Sequence, residues 1–144
     1  MYITTDEKTH IDIVVPQERT NPRLKLAVNG TVNINWGDNS EVDTMTGTSV
    51  TTLISQDHVY AAAGNYTISI TVIEGNFAII GDANNHILNG TVSGWPSLVY
   101  ACFVRHIRIG KSCNIKKYAF SHCYNLETIT IPNTIGTTIA EYAF

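Results

Sequence analysis

Charged side chains are scarce in this chain, at 15% of 144 residues, well below the roughly one quarter usual in folded proteins. No basic cluster approaches the dense positive surface that nucleic acid requires, so nucleic acid is not an expected partner. Long apolar runs are missing too. Nothing nears the roughly 18–20 consecutive apolar residues of a membrane span, so this chain is not expected to insert into a membrane. Residues Met1 to Lys8 lack the basic and apolar regions of a signal peptide. That leaves a cytosolic protein or an excised piece of something longer. Cysteine is confined to Cys102, Cys113 and Cys123. An odd number cannot complete a disulfide framework, and no pair has C-x-x-C spacing, so no zinc or redox motif is signalled. Free thiols packed as small hydrophobes are the expectation, with no metal and no cofactor.

What is present favours strands. Hydrophobic residues make up 44% of the chain, enough for a folded core. Thr, Asn, Ile and Val are abundant, a bias towards β-structure with a surface of hydroxyls and amides. The charge is divided unevenly. Residues 1–75 carry four basic residues against nine acids, and residues 76–144 carry five against three. This asymmetry suggests a two-part chain. Three Asn-x-Thr sequons, at Asn29, Asn65 and Asn89, matter only where the source glycosylates them.

In the first part, Leu24, Leu26 and Val28 alternate on one side of Asn29-Gly30, and Val32, Ile34 and Trp36 alternate on the other. Asn-Gly takes the positive φ angles of a type I′ turn, so the pattern predicts a hairpin. An earlier strand, His10 to Val15, ends at Pro16, and a later one places Tyr66, Ile68, Ile70 and Val72 on one face. Short alternating strands between turn residues predict an antiparallel sandwich.

Trp36-Gly37-Asp38-Asn39-Ser40, followed by His58-Val59-Tyr60 and Gly64-Asn65-Tyr66-Thr67, resembles the PKD domain, an immunoglobulin-like module of bacterial surface proteins and secreted enzymes. The resemblance covers about half the chain and implies an immunoglobulin-like β-sandwich over residues 1–75. Asn39 stands where the family has a second glycine, a tolerable change because Asn accepts left-handed geometry. Trp36 is expected in the core, Gly37 and Asp38 in the turn, and Tyr60 and Tyr66 with buried rings and bonded hydroxyls. Asp38, Glu41 and Asp43 offer oxygens to calcium but lack the order of a calcium loop, so a solvated turn is preferred. Ser55, Asp57 and His58 are triad residue types, but neighbours on a strand face opposite ways, and no catalysis is assigned to them.

From Phe77 the punctuation changes, with Gly81-Asp82, Asn84-Asn85, Asn89-Gly90 and Gly94 close together. An irregular junction with one short strand, Phe77 to Ile80, is predicted. Tyr118-Ala119-Phe120 recurs 24 residues later as Tyr142-Ala143-Phe144, a period typical of leucine-rich solenoid units. Ile107-Arg108-Ile109 aligns with Ile129-Thr130-Ile131, and Leu98 with Leu126. The run from Tyr118 to Pro132 looks like the BspA-like leucine-rich repeat of bacterial cell-surface proteins. The preceding unit departs from that pattern, with Gly110 in place of the proline.

Residues 76–144 are therefore expected to hold a junction and truncated repeats. Leu126, Ile129, Ile131, Phe120 and Cys123 should point inward. The outward pairs would be His106 with Thr128 and Arg108 with Thr130, the best candidates for ligand contact. The expected fold class is mainly β, an N-terminal immunoglobulin-like β-sandwich packed against a short C-terminal leucine-rich-repeat solenoid. Together the resemblances imply a non-catalytic adhesion or binding module, extracellular or at the cell surface, that contacts a protein or glycan ligand. The alternative is a structural spacer of a larger secreted enzyme or phage tail protein. One complete repeat and two partial ones fall short of the roughly three a solenoid needs. The first part is thus expected to cap the stack, and its C-terminal end to meet a further repeat or a second copy in a homodimer.

Overall fold

The structure is a computed structural model that describes residues 8–16, 21–92, 95–131 and 143, with 91–92 and 95–99 as backbone. It is mainly β. The strands are β1 (Thr9–Val15), β2 (Arg23–Asn35), β3 (Asp43–Asp57), β4 (Gly64–Ile79), β5 (Leu88–Asn89), β6 (Thr91–Val92), β7 (Trp95–Val99), β8 (Val104–Arg108), β9 (Cys113–Ile115) and β10 (Thr128–Thr130), with one 3-10 turn at Tyr100–Phe103. Eight of them form one open mixed sheet along the path β10-β8-β1-β4-β2-β3, with β5 beside β2 and β9 beside β4. β6 and β7 pair separately. Most pairs are antiparallel, whereas β8 with β10 and β4 with β9 run parallel.

Alternation sets which side chains enter the core. Ile11, Ile13 and Val15 of β1, Leu24, Leu26, Val28, Val32 and Ile34 of β2, and Ile68 and Ile70 of β4 are all buried. They join Ile107, Cys113, Ile115 and Phe120 in a single hydrophobic cluster. Each fully buried aliphatic side chain of this kind contributes about 1.5–3 kcal/mol relative to exposure. The 75/76 division falls inside β4, and the cluster draws residues from both sides of it.

The predicted hairpin at Asn29-Gly30 does not form. β2 runs through it as one 13-residue strand. Gly30 lies opposite Gly47 on β3 and Gly75 on β4, so three glycines stand in a row across neighbouring strands. Register shifts flank the row on both partners, so the positive φ of Gly30 (121°) and Gly75 (78°) serves a bulged crease instead of a reversal. A Cβ at Gly30 would lie 2.1 Å from the Glu74 carbonyl oxygen, and one at Gly75 would lie 1.9 Å from that of Asn29. Side chains are excluded there because the backbones touch.

Two further expectations change. Phe77 to Ile79 is the end of β4, not a separate strand. Leu126 does not match Leu98, which lies in β7. Instead Glu127 N–H donates to the Arg105 carbonyl (2.7 Å), a step of 22 residues that sets Leu126 beside Val104. The same step pairs Thr128, Ile129 and Thr130 with His106, Ile107 and Arg108, the register predicted for the isoleucine pairs. Phe120 N–H donates to the Ala143 carbonyl at 2.8 Å, which joins the two Tyr-Ala-Phe triplets. Gly110 also finds a reason. Its N–H, which proline would lack, donates to the buried Thr9 hydroxyl of β1 at 2.9 Å.

Candidate functional site

The four residues singled out from sequence share one outward face. Ile107 and Ile129 point to the core, so His106, Arg108, Thr128 and Thr130 turn away from it. Thr128, Thr130 and Arg108 are exposed and His106 is half-buried. β1 lies against β8 and extends this face, with His10 opposite Arg108 and Asp12 opposite His106. β4 carries it one strand further through Ser69 and Thr67. Two rows of polar side chains result, Thr130–Arg108–His10–Ser69 and Thr128–His106–Asp12–Thr67, each four strands wide.

Hydrogen bonds order these rows. His106 Nδ1 is 2.7 Å from the Thr128 hydroxyl, and its Nε2 is 3.4 Å from a Glu127 carboxylate oxygen. Arg105 reaches the other Glu127 oxygen at 3.1 Å. Such exposed ion pairs orient side chains but contribute only about 0–1 kcal/mol. Thr67 donates to Asp12 at 2.6 Å, and His10 Nδ1 lies 3.1 Å from the Ser69 hydroxyl. The Arg108 side chain makes no hydrogen bond or ion pair among the described residues. Between Asp12, Tyr66, Thr67, Arg105 and His106 the surface dips into a recess of about 340 Å³.

His10, Asp12, Thr67 and Ser69 were not among the residues singled out from sequence. The alternation His10-Ile11-Asp12-Ile13 marks them as outward. Nothing local indicates that β1 lies beside β8, some 95 residues further along the chain.

The tempting chemistry near Trp36 is fully engaged in structure. Trp36 is buried; its indole N–H donates to Asp43 at 2.7 Å, and its carbonyl accepts from the Tyr60 hydroxyl at 2.7 Å. His58 stacks on the Trp36 ring, 4.6 Å between centroids and 7° from parallel, and its Nε2 meets Asp38 at 2.7 Å. Asp38 also accepts from the backbone and hydroxyl of Ser40. Burial works against ionisation of Asp38, but hydrogen bonds from Ser40 and His58 outweigh it and hold its pKa below the usual carboxylate value. Burial pushes the Tyr60 hydroxyl pKa well up. Tyr66 is half-buried and its hydroxyl donates to the Ala62 carbonyl.

Asp57 forms an exposed pair with Arg23 at 2.6 Å and takes no part in this cluster, so Ser55, Asp57 and His58 are not a constellation. Of the three acids considered for calcium, Asp38 and Asp43 are thus occupied and Glu41 is exposed. Among the described residues no group of three or more His, Cys, Asp or Glu is placed to hold a metal ion. The cysteines are free thiols, with burial pushing both Cys113 and Cys123 up to about 12. Among the described residues no helix is long and apolar enough to cross a membrane.

Comparison with known proteins adds no identification: no family model, no curated protein and no solved structure matches the chain.

Proposed function

We propose that this chain is a non-catalytic binding module, extracellular or displayed at a cell surface, whose outward face around His106, Arg108, Thr128 and Thr130 contacts a protein or glycan ligand. The observation that carries the reading is the four-strand polar face, which presents the exposed Arg108 side chain and borders a recess at Asp12, Thr67 and His106. Hydroxyls, imidazoles and one guanidinium on a rigid sheet give directional hydrogen bonds at small conformational cost.

The finer architecture belongs to the same proposal. Residues 1–75 act as a PKD-like immunoglobulin-like sandwich packed against a short BspA-like leucine-rich solenoid. The Trp36–His58–Tyr60 cluster supports the first half, and the 22-residue parallel step with the Phe120–Ala143 bond supports the second. A further repeat or a second copy would extend the stack beyond β10.

The test is an array of host glycans and extracellular-matrix proteins probed with the wild-type chain and with a variant carrying H106A, R108E, T128A and T130A. A bound spot weakened about tenfold or more in the variant is the expected result. Binding that survives the four substitutions would move the contact elsewhere. A folded wild type that binds nothing on either array would favour the spacer role.

A further inference from the structure

A second cleft lies away from the outward face. The chain between β9 and β10 is stacked on the segment between β4 and β5. Phe77 pairs with Cys113, and His86 lies tilted against His122, 3.9 Å between ring centroids, after the same step of 36 residues. Gly81 N–H donates to the Lys117 carbonyl at 3.0 Å, and a Cβ at Gly81 would lie 2.4 Å from the Tyr118 carbonyl oxygen. This close stacking builds an open cleft of about 600 Å³, within the ~300–1,000 Å³ range of small-molecule sites. Tyr118, His122 and Tyr124 line it.

Three features of these side chains are unexplained by packing. Tyr124 is 74% exposed and Tyr118 is 37% exposed, so two of the large exposed apolar side chains face one cleft, and both are tyrosines. His122 Nδ1 is sealed from solvent yet has no hydrogen-bond partner among the described residues. Such an orphan costs about 1–3 kcal/mol. Tyr118 (φ 58°) and His122 (φ 65°) both sit in the left-handed region, which residues with a Cβ rarely occupy. Strain of this kind persists where the surroundings over-determine it, and it gathers at ligand sites.

The chemistry narrows the ligand. Asp82 at the rim has its carboxylate taken by the Asn84 and Asn85 backbone N–H groups and the Asn85 amide, which hold its pKa below the usual range. Burial, then His122, pushes the pKa of His86 down, and its Nδ1 lies 3.0 Å from the Ser121 hydroxyl. Lys117 Nζ lies over the Tyr118 ring, 5.3 Å from its centre, so the cleft offers chiefly the Tyr124 face, without an unengaged carboxylate beside it. It is also open, so it cannot give a wholly apolar ligand the 70–90% burial that such ligands need. A ligand with an apolar face and a wet polar rim fits both facts. We propose that the cleft between Tyr118 and Tyr124 binds a neutral sugar ring, its C–H face against Tyr124 and its hydroxyls towards the rim.

Saturation-transfer NMR with the methyl glycosides of galactose, mannose and N-acetylglucosamine tests this, with an uncharged peptide as a parallel probe. Transfer to ring C–H protons of at least one glycoside is expected. Tyr124→Ala should weaken it about tenfold, Tyr124→Phe should keep it, and Val59→Ala, an exposed residue outside the cleft, should leave it unchanged. The four-fold variant of the outward face should also keep it, so the two sites can fail separately. No transfer to any glycoside from folded wild type, equal transfer in Tyr124→Ala, or transfer to the peptide alone would overturn the proposal.

Discussion

Two clusters of histidine and aromatic rings, one around Trp36 and one around His122, use similar side chains and end in opposite states. In the first, the Trp36 indole N–H, the Tyr60 hydroxyl and His58 Nε2 each have a partner within 2.7 Å. In the second, His122 Nδ1 has none among the described residues, and Tyr124 stands in solvent. Both contain a close ring pair, His58 stacked on Trp36 and His86 tilted 40° against His122. A histidine beside aromatics is thus not in itself a sign of function. What distinguishes the two is whether every buried side-chain polar atom among the described residues has found a partner.

The largest effect expected from breaking this contrast is at Trp36. Trp36→Ala should cost about 3–5 kcal/mol in chemical denaturation, because it opens a cavity and removes the surface on which His58 and Tyr60 rest. Tyr60→Phe is more surgical. It leaves the Trp36 carbonyl without its donor and should cost about 1–3 kcal/mol. If Tyr60→Phe were neutral, the first cluster would be less tightly organised than its geometry implies.

Acidification should separate the contribution of His86 from that of the carboxylates. His86 has a folded pKa lowered from 6.5. The unfolded chain therefore binds a proton that the folded chain resists, and stability falls as pH drops below about 6.5. Asp38, Asp57 and Asp82 have pKa values lowered from 3.8. Their contribution is present above that value and is lost as pH falls towards their folded values. Denaturation midpoints should thus decline in two stages, and His86→Gln should abolish the first while sparing the second. The smallest expected effect is Tyr124→Ala, within about 0.5 kcal/mol of wild type, since an exposed ring supports little of the fold.

Strand content and the inward residues were legible because alternation is a local signal: Leu24, Leu26, Ile68 and Ile70 are buried where period two places them. The pairing of His106 with Thr128 was legible because the isoleucines around it repeat. Asn29-Gly30 misled because positive φ serves a turn and a bulge equally well. What decides between them is the glycine row with Gly47 and Gly75, brought together only by the folded sheet. The extension of the outward face into β1 and β4, and the contact of His86 with His122, were hidden for the same reason. Both join residues far apart in the chain and carry no matching motif.

The most direct measurement is a paired one: the unfolding free energies of His58→Ala and His122→Ala against wild type. Loss of His58 strips a charge-assisted partner from Asp38 and should cost about 2–3 kcal/mol. Loss of His122 removes an atom that has no partner in the folded protein and should cost less than about 1 kcal/mol. If His122→Ala were as destabilising as His58→Ala, the second cluster would be structural like the first, and the contrast drawn between them would fail.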